Sequence, residues 1–224
     1  MKKLVLILIF ALFLASLFSL RATKSFFTDT EKATSNILSV ATEFSSTPSP
    51  TTSPSPTPTP ITNHLVINEV YYDVASGKGI ETDNEWVEIY NPTDGAIDIS
   101  GWKICDNTYC DTIPSSAPIP ANGFAVITAR STTWGFWLSI PSEVVKIILD
   151  NDIGNGLHND NDRVILKRAD DTEVDVMSYG DDTYAFSPAC PDVTEGHSWE
   201  RSPAGKDTDT AGDFVDRSIP TPGN

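Results

Sequence analysis

From Leu65 onward the chain sets short runs of Val, Ile, Tyr, Trp and Phe between clusters of Gly, Pro, Asn and Asp, and helical periodicity is scarce. Apolar runs of this length bounded by turn formers predict β-strands, because branched and aromatic side chains pack well on a pleated surface. The runs place strands over Leu65–Tyr72, Glu85–Tyr90, Ala96–Ile99, Trp102–Cys105, Phe124–Ala129, Val144–Leu149, Arg163–Arg168 and Glu173–Ser178. About eight short strands suit a sandwich or barrel. Turn residues Asn91-Pro92-Thr93-Asp94-Gly95 and Ala169-Asp170-Asp171-Thr172 connect neighbouring runs, which predicts antiparallel neighbours and a hairpin at the second link. No fixed-period repeat and no strand-helix alternation is present, which argues against a solenoid and against a parallel α/β sheet.

The pattern before this region is of another kind. Lys2 and Lys3 precede an apolar run from Leu4 to Leu20, broken only by Ser16 and Ser19, and polar residues follow. That order predicts an export signal over 1–25, cut before Phe26 with small residues Thr23 and Ser25 ahead of the cut, or else a retained anchor. Residues 26–44 form a short mature segment. Within it, Phe26-Phe27-Thr28-Asp29-Thr30-Glu31, Asn36-Ile37-Leu38 and Ala41-Thr42 resemble the start of camelysin-like and biofilm-fibre proteins, which implies their export route. Ser45 to Pro60 contains only Ser, Thr and Pro, so 45–62 reads as a linker with nothing apolar to bury. In polyproline II geometry it would reach roughly 50 Å. The remainder, 63–224, is one domain.

Charge narrows the partners. Of the 15 Lys and Arg and 31 Asp and Glu, only five bases and three acids lie up to Thr62, which leaves the domain 10 bases against 28 acids. So negative a surface repels phosphate backbones and anionic headgroups, since binding either relies on Lys and Arg. Direct nucleic-acid binding is disfavoured, and membrane contact is expected only through an uncleaved N-terminal segment.

Ile67-Asn68-Glu69-Val70, Glu85-Trp86-Val87-Glu88-Ile89-Tyr90-Asn91-Pro92-Thr93 and Asp98-Ile99-Ser100-Gly101-Trp102-Lys103-Ile104 resemble, in order and spacing, the opening of bacterial lamin-tail domains. The likeness continues through Ile119–Phe124, Asn161–Leu166, Val174-Asp175, Ser198–Arg201, Asp207–Asp209 and Pro220–Asn224. The resemblance implies an all-β, immunoglobulin-like β-sandwich. Nuclear lamins use such a domain as a tail for contacting partners, and bacteria use it as a module on exported or membrane-linked proteins. Function resides in sites placed on such a sandwich, so the fold leaves the ligand open.

Several constellations admit a chemical and a structural reading. Glu69, Glu85 and Glu88 could converge as the acid and base of a glycoside hydrolase. Glu85 and Glu88 are three apart on a strand, however, and so point to opposite faces, which predicts that one of them is solvated or bonded to turn amides. The Asp150–Asp162 loop is dense in hard oxygen ligands, and Asp150, Asp152, Asp160 and Asp162 are its candidate calcium ligands; Asx-turn capping is the other reading. Asp207, Asp209 and Asp213 form a second acidic cluster suited to bonding backbone amides.

His64, His158 and His197 accompany no nucleophile elbow, zinc-protease or phosphate-loop motif. Cys105 and Cys110 are spaced for a loop-closing disulfide, leaving Cys190 for an intermolecular bridge or for one of the other two; a zinc site from these three and His197 is the alternative. Trp134, Phe136 and Trp137 could form an exposed aromatic platform or a plug on the core.

The sequence thus predicts a non-catalytic module, secreted or held at the cell surface on a stiff spacer. It would bind a protein or glycan of the envelope and require no cofactor beyond a possible calcium ion. An extracellular structural assembly and a carboxylate-based hydrolase are the competing readings.

Overall fold

A computed structural model describes residues 62–224. The expected signal, the mature N-terminal segment and nearly all of the linker lie outside the described residues. Contacts divide the chain into two units, and the second, Pro54–Asn224, holds every described element. All strands and both apolar clusters therefore belong to one self-contained unit.

Two sheets form the sandwich. Strands β1 (Val66–Tyr71), β2 (Trp86–Tyr90), β5 (Phe124–Thr128), β6 (Val145–Ile148), β9 (Ser198–Arg201) and β10 (Phe214–Arg217) form a six-stranded sheet in the order β10-β9-β1-β2-β5-β6. Strands β3 (Lys103–Cys105), β4 (Cys110–Thr112), β7 (Asp162–Lys167) and β8 (Glu173–Tyr179) form the second, in the order β4-β3-β7-β8. All pairs are antiparallel except β5 with β6, which run parallel because the excursion through a 3-10 turn at Ser131–Gly135 returns the chain in the same direction.

Period-two patterning fills the space between the sheets. Ile67, Val70, Tyr72, Val87, Ile89, Ala125 and Ile127 of one sheet meet Ile104, Val164, Leu166, Met177 and Tyr179 of the other. A second cluster lies on the outer face of the large sheet, where Tyr71, Trp86, Val126, Trp137, Ile140 and Val144 pack together. Tyr71 stacks on Trp86 at 5.5 Å between ring centroids, and Trp137 meets both rings edge-on at 5.2 and 5.6 Å. Large aromatic area removed from water on both faces explains why β1 is buried along its whole length. Of the three clustered aromatics, Trp137 is buried and Trp134 packs partly against this cluster, while Phe136 stays at the surface. The segment is a plug on the sheet and not a platform.

Seven of the expected strands are present with ends shifted by a residue or so; Ala96–Ile99 is not a strand. That segment crosses from the large sheet to the small one and makes only the bridge between Ile97 and Ile119. For the same reason the Asn91–Gly95 turn leads into a crossing and makes no hairpin, whereas Arg168 N–H donates to Thr172 C=O at 2.8 Å and closes the β7-β8 hairpin. Three strands carry no apolar signal strong enough to announce them: β4 reads Cys-Asp-Thr, β9 Ser-Trp-Glu-Arg and β10 Phe-Val-Asp-Arg.

Candidate functional site

The acids singled out in the sequence lie in three separate environments. On the outer face of the large sheet, Glu69 of β1 sits directly opposite Glu88 of β2 on one side and Glu200 of β9 on the other. Asn68 occupies a bulge that shifts the register between Ile67 and Glu69. Like charges directly opposite destabilise a sheet. Here Glu69 and Glu88 are also sealed at 0% exposure. Burial raises the carboxyl of Glu69 to about 7. It lifts Glu88 well above the ordinary carboxylate range, with the charge of Glu69 adding to the effect.

Donors replace the missing water. Ser198 Oγ–H and Thr221 N–H donate to Glu69 at 2.5 and 3.1 Å. Asn68 Nδ2–H donates to Glu88 at 2.8 Å, and Gly223 N–H donates to its other oxygen. Arg217 pairs with Glu200, the most accessible of the three. The residues that close over the row are thus the last of the chain. Gly223 has φ of +94°, and a Cβ there would approach Pro141 and Val144 to 2.8 Å, so the tail can lie this close only with glycine.

Glu85 occupies the second environment. It too is fully buried, accepts from Leu157 N–H at 2.9 Å and Thr82 N–H at 3.2 Å, and is raised by burial to about 8. Neither Glu85 nor Glu88 is solvated. The opposite-face argument holds for their directions, and of its two outcomes the bond to turn amides is the one found, at Glu85, because both faces of the sheet are covered.

The third environment lies between the sheets, where Arg201 is 1% exposed. Its Nε–H donates to Ile67 C=O at 2.8 Å, one terminal nitrogen reaches both oxygens of Asp175 at 3.0 Å, and the other reaches Lys206 C=O and Asp207. Asp213 lies 3.5 Å from it. Asp175 also accepts Ile67 N–H at 2.6 Å; burial raises it to about 6, and the guanidinium works against that shift. The bond from His64 and the charge of Arg201 hold Asp207 down to about 2. One arginine fork thereby ties β1, β8, β9 and the closing segment together.

The Asp150–Asp162 loop is fastened by side chains from outside it. Asp106 accepts Asn155 N–H at 2.7 Å, and Asp111 accepts Gly154 N–H and Asn151 Nδ2–H, both at 2.7 Å. Gly154 has φ of +65°, and a Cβ would meet the Asp106 carboxyl at 2.1 Å. Asp162 is buried, with its oxygens accepting N–H groups of Asn107, His158 and Arg163. Asp152 lies 3.8 Å from Arg130, while Asp150 and Asp160 are exposed. Among the described residues no group of three or more His, Cys, Asp or Glu side chains is gathered in a way that could hold a metal ion. Asp106 and Asp111 escaped the sequence reading. The signal for Asp106 was the Asp-Asn-Thr-Tyr turn, in which it accepts the N–H groups of Thr108 and Tyr109 at 2.6 Å.

Cys105 and Cys110, directly opposite on β3 and β4, are joined as a disulfide with a Cα separation of 4.0 Å. Cys190 is free and wholly buried, and burial raises its thiol to about 12. His197 pairs instead with Asp216 at 2.7 Å. The zinc set of three cysteines and His197 is therefore not assembled, and Cys190 is not presented for a bridge between folded subunits.

A family model described as Lamin Tail Domain matches residues 58–181, more than half of the chain. The chain belongs to the lamin tail domain family. No curated protein matches it. The match ends just after β8, yet the lamin tail domain of this chain continues: β9 pairs with β1, and Arg201 and the C-terminal tail supply the partners of Asp175, Glu69 and Glu88. The two sheets are those of an immunoglobulin-like sandwich.

Proposed function

We propose that this lamin tail domain is a non-catalytic interaction module, displayed outside the cell on its Ser/Thr/Pro spacer, that binds a protein or glycan of the envelope. The observation that carries the reading is the state of its acids. Glu69, Glu85 and Glu88, the candidate acid and base of a hydrolase, are buried, as are Asp162 and Asp175, and each is engaged by backbone amides, side-chain donors or Arg201. A general acid must reach its substrate oxygen within hydrogen-bond distance. Here the donors that hold these groups also cover them. The remaining surface is rich in acids, which favours partners carrying cationic or neutral polar groups over nucleic acid.

The test is binding of residues 54–224 to isolated envelopes of the cells that make the protein, with calcium and with chelator, followed by cross-linking. Saturable binding and one dominant cross-linked species are expected. Binding that rises linearly without saturation would remove the reading. Loss in chelator would show that binding needs a divalent cation, and substitution of Asp150, Asp152, Asp160 and Asp162 would then test whether the Asp150–Asp162 loop holds it.

A further inference from the structure

Across the outer face of the large sheet run Val215, Glu200, Glu69, Glu88 and Val126, each directly opposite the next on β10, β9, β1, β2 and β5. Three neighbouring strands thus set three carboxyls side by side. Arg217 of β10 pairs with Glu200, and among the described residues no ion pair reaches Glu69 or Glu88. Val126 of β5 and residues 219–224 bring no ionisable side chain to the row. The buried Oδ1 of Asn68, on the bulge beside it, finds no hydrogen-bond donor. The row is short of hydrogens as well as of positive charge, and under these conditions a buried carboxyl keeps its proton.

What seals the row is not a strand. Residues 219–224 follow β10, and among the described residues every hydrogen bond leaving this segment ends on the row. Thr221 N–H donates to Glu69, Thr221 Oγ–H to Glu200 and Gly223 N–H to Glu88. The bond from Asn224 N–H stays within the segment, on Thr221 C=O. Gly223 rests on Ile140, Pro141 and Val144 of the plug, while Ile219 is 76% exposed. Asn68 and Ser198, the other donors, belong to β1 and β9 and cannot leave without breaking a ladder. Residues 219–224 can.

We propose that residues 219–224 are a proton-gated strap, closed over Glu69 and Glu88 while the pair holds its protons and released when both are ionised, so that only the released state presents three adjacent carboxylates to solvent. Two carboxylates facing each other on neighbouring strands in a dry setting are relieved only by water, which enters when the strap leaves. The strap's own donors pull the other way, but burial outweighs them at both groups. Uncovered, Glu69 returns to the ordinary 4.5, against about 7 under the strap. The strap is therefore fully held below about 4.5, and its opening is favoured roughly tenfold more per pH unit from there to about 7 by this group alone. Glu88, also well above its ordinary range, adds to the same trend. The gating is independent of the envelope-binding reading, and either can fail alone.

Amide hydrogen exchange of residues 54–224, read residue by residue by NMR and corrected for the intrinsic pH dependence of exchange, tests it. From about pH 5 to about pH 8 the protection of Thr221 and Gly223 is expected to fall at least roughly tenfold. At every pH it should lie below that of Val87 and Ile89 in the middle of the large sheet, so that the strap opens while the sheet stays closed. Glu69→Gln with Glu88→Gln keeps both side chains neutral and is expected to level the profile; the profile of the unmodified domain is decisive without it. Protection at Thr221 and Gly223 that is constant with pH, that equals the protection of Val87 and Ile89, or that falls as steeply in the double variant would each overturn the proposal.

Discussion

The space around Arg201 and the outer face of the large sheet both bury carboxyls, and they solve the problem in opposite ways. Around Arg201, whose guanidinium lies within 3.5 Å of Asp175, Asp207 and Asp213, Asp207 is held down to about 2 and Asp213 is lowered, while burial still lifts Asp175 to about 6. On the outer face Glu69 and Glu88 have amide and hydroxyl donors but no cation, and burial drives them towards the protonated form. Burial alone therefore does not set the behaviour of an acid. A nearby positive charge pulls against burial, as Arg201 does at Asp175 and Asp207, and hydrogen-bond donors can do the same, as Thr208 does at Asp213.

The most damaging way to break this contrast is to remove the cation. Arg201→Met leaves Asp175 without its cation in a dry interior, while Asp213 keeps Lys206 at 3.2 Å, and is expected to cost about 4 kcal/mol, read as a fall in urea midpoint. Adding Asp175→Leu to that variant should return part of the loss. A cost under about 1 kcal/mol for the single change would mean that the ion pairs are not what holds β8 to β9.

Next in size is the dependence on pH. Glu69 and Glu85 rise from 4.5 to about 7 and about 8 on folding, so the native state binds more protons than the unfolded chain between those values. Their contribution is fully present below about 4.5 and is lost as pH rises through 7 to 8, a change on the order of 3 kcal/mol per group. Asp207 works in the other direction: it falls to about 2, so its contribution is present above about 4 and is lost only in stronger acid. Melting temperatures across pH 5 to 8.5 should therefore decline with rising pH, and Glu69→Gln together with Glu85→Gln should flatten the slope. A flat profile in the unmodified domain would contradict the assignment of these acids.

A smaller effect is expected from deleting Thr221–Asn224, which takes away the amides of Thr221 and Gly223 but lets water reach Glu69 and Glu88. Re-solvation offsets part of the loss, leaving about 2 kcal/mol, and the pH slope should shrink at the same time. An unchanged slope would show that the tail is not what seals the pair. The smallest effect belongs to His64→Ala at the rim of the Arg201 cluster. His64 is partly exposed and lies 3.4 Å from Asp207, which Arg201 still holds, so the loss should stay below about 1 kcal/mol, be largest below about pH 6.5 and fade as pH rises through the raised value of the imidazole.

By itself the sequence determined the class of this protein. Apolar runs at period two and their punctuating turns specify strands, because those preferences are local, and the order of motifs from Ile67 to Leu166 specifies the lamin tail family. The alternation that put Glu85 and Glu88 on opposite faces is likewise a local rule, and it gave the right directions. Their burial was illegible, since Glu85 depends on a distant loop that brings Leu157 N–H to it and Glu88 on a tail that returns from far along the chain to cover it. β9 was missed because two of its polar residues, Glu200 and Arg201, are buried by partners on other strands. Ala96–Ile99 was expected as a strand because its side chains suit one, but a strand needs a neighbour, and the crossing between sheets leaves only one bridge. Asp106 and Asp111 fasten a loop more than 40 residues away, which no local pattern announces. Tertiary structure alone decided which polar groups face water, because solvation depends on what the rest of the chain lays over them.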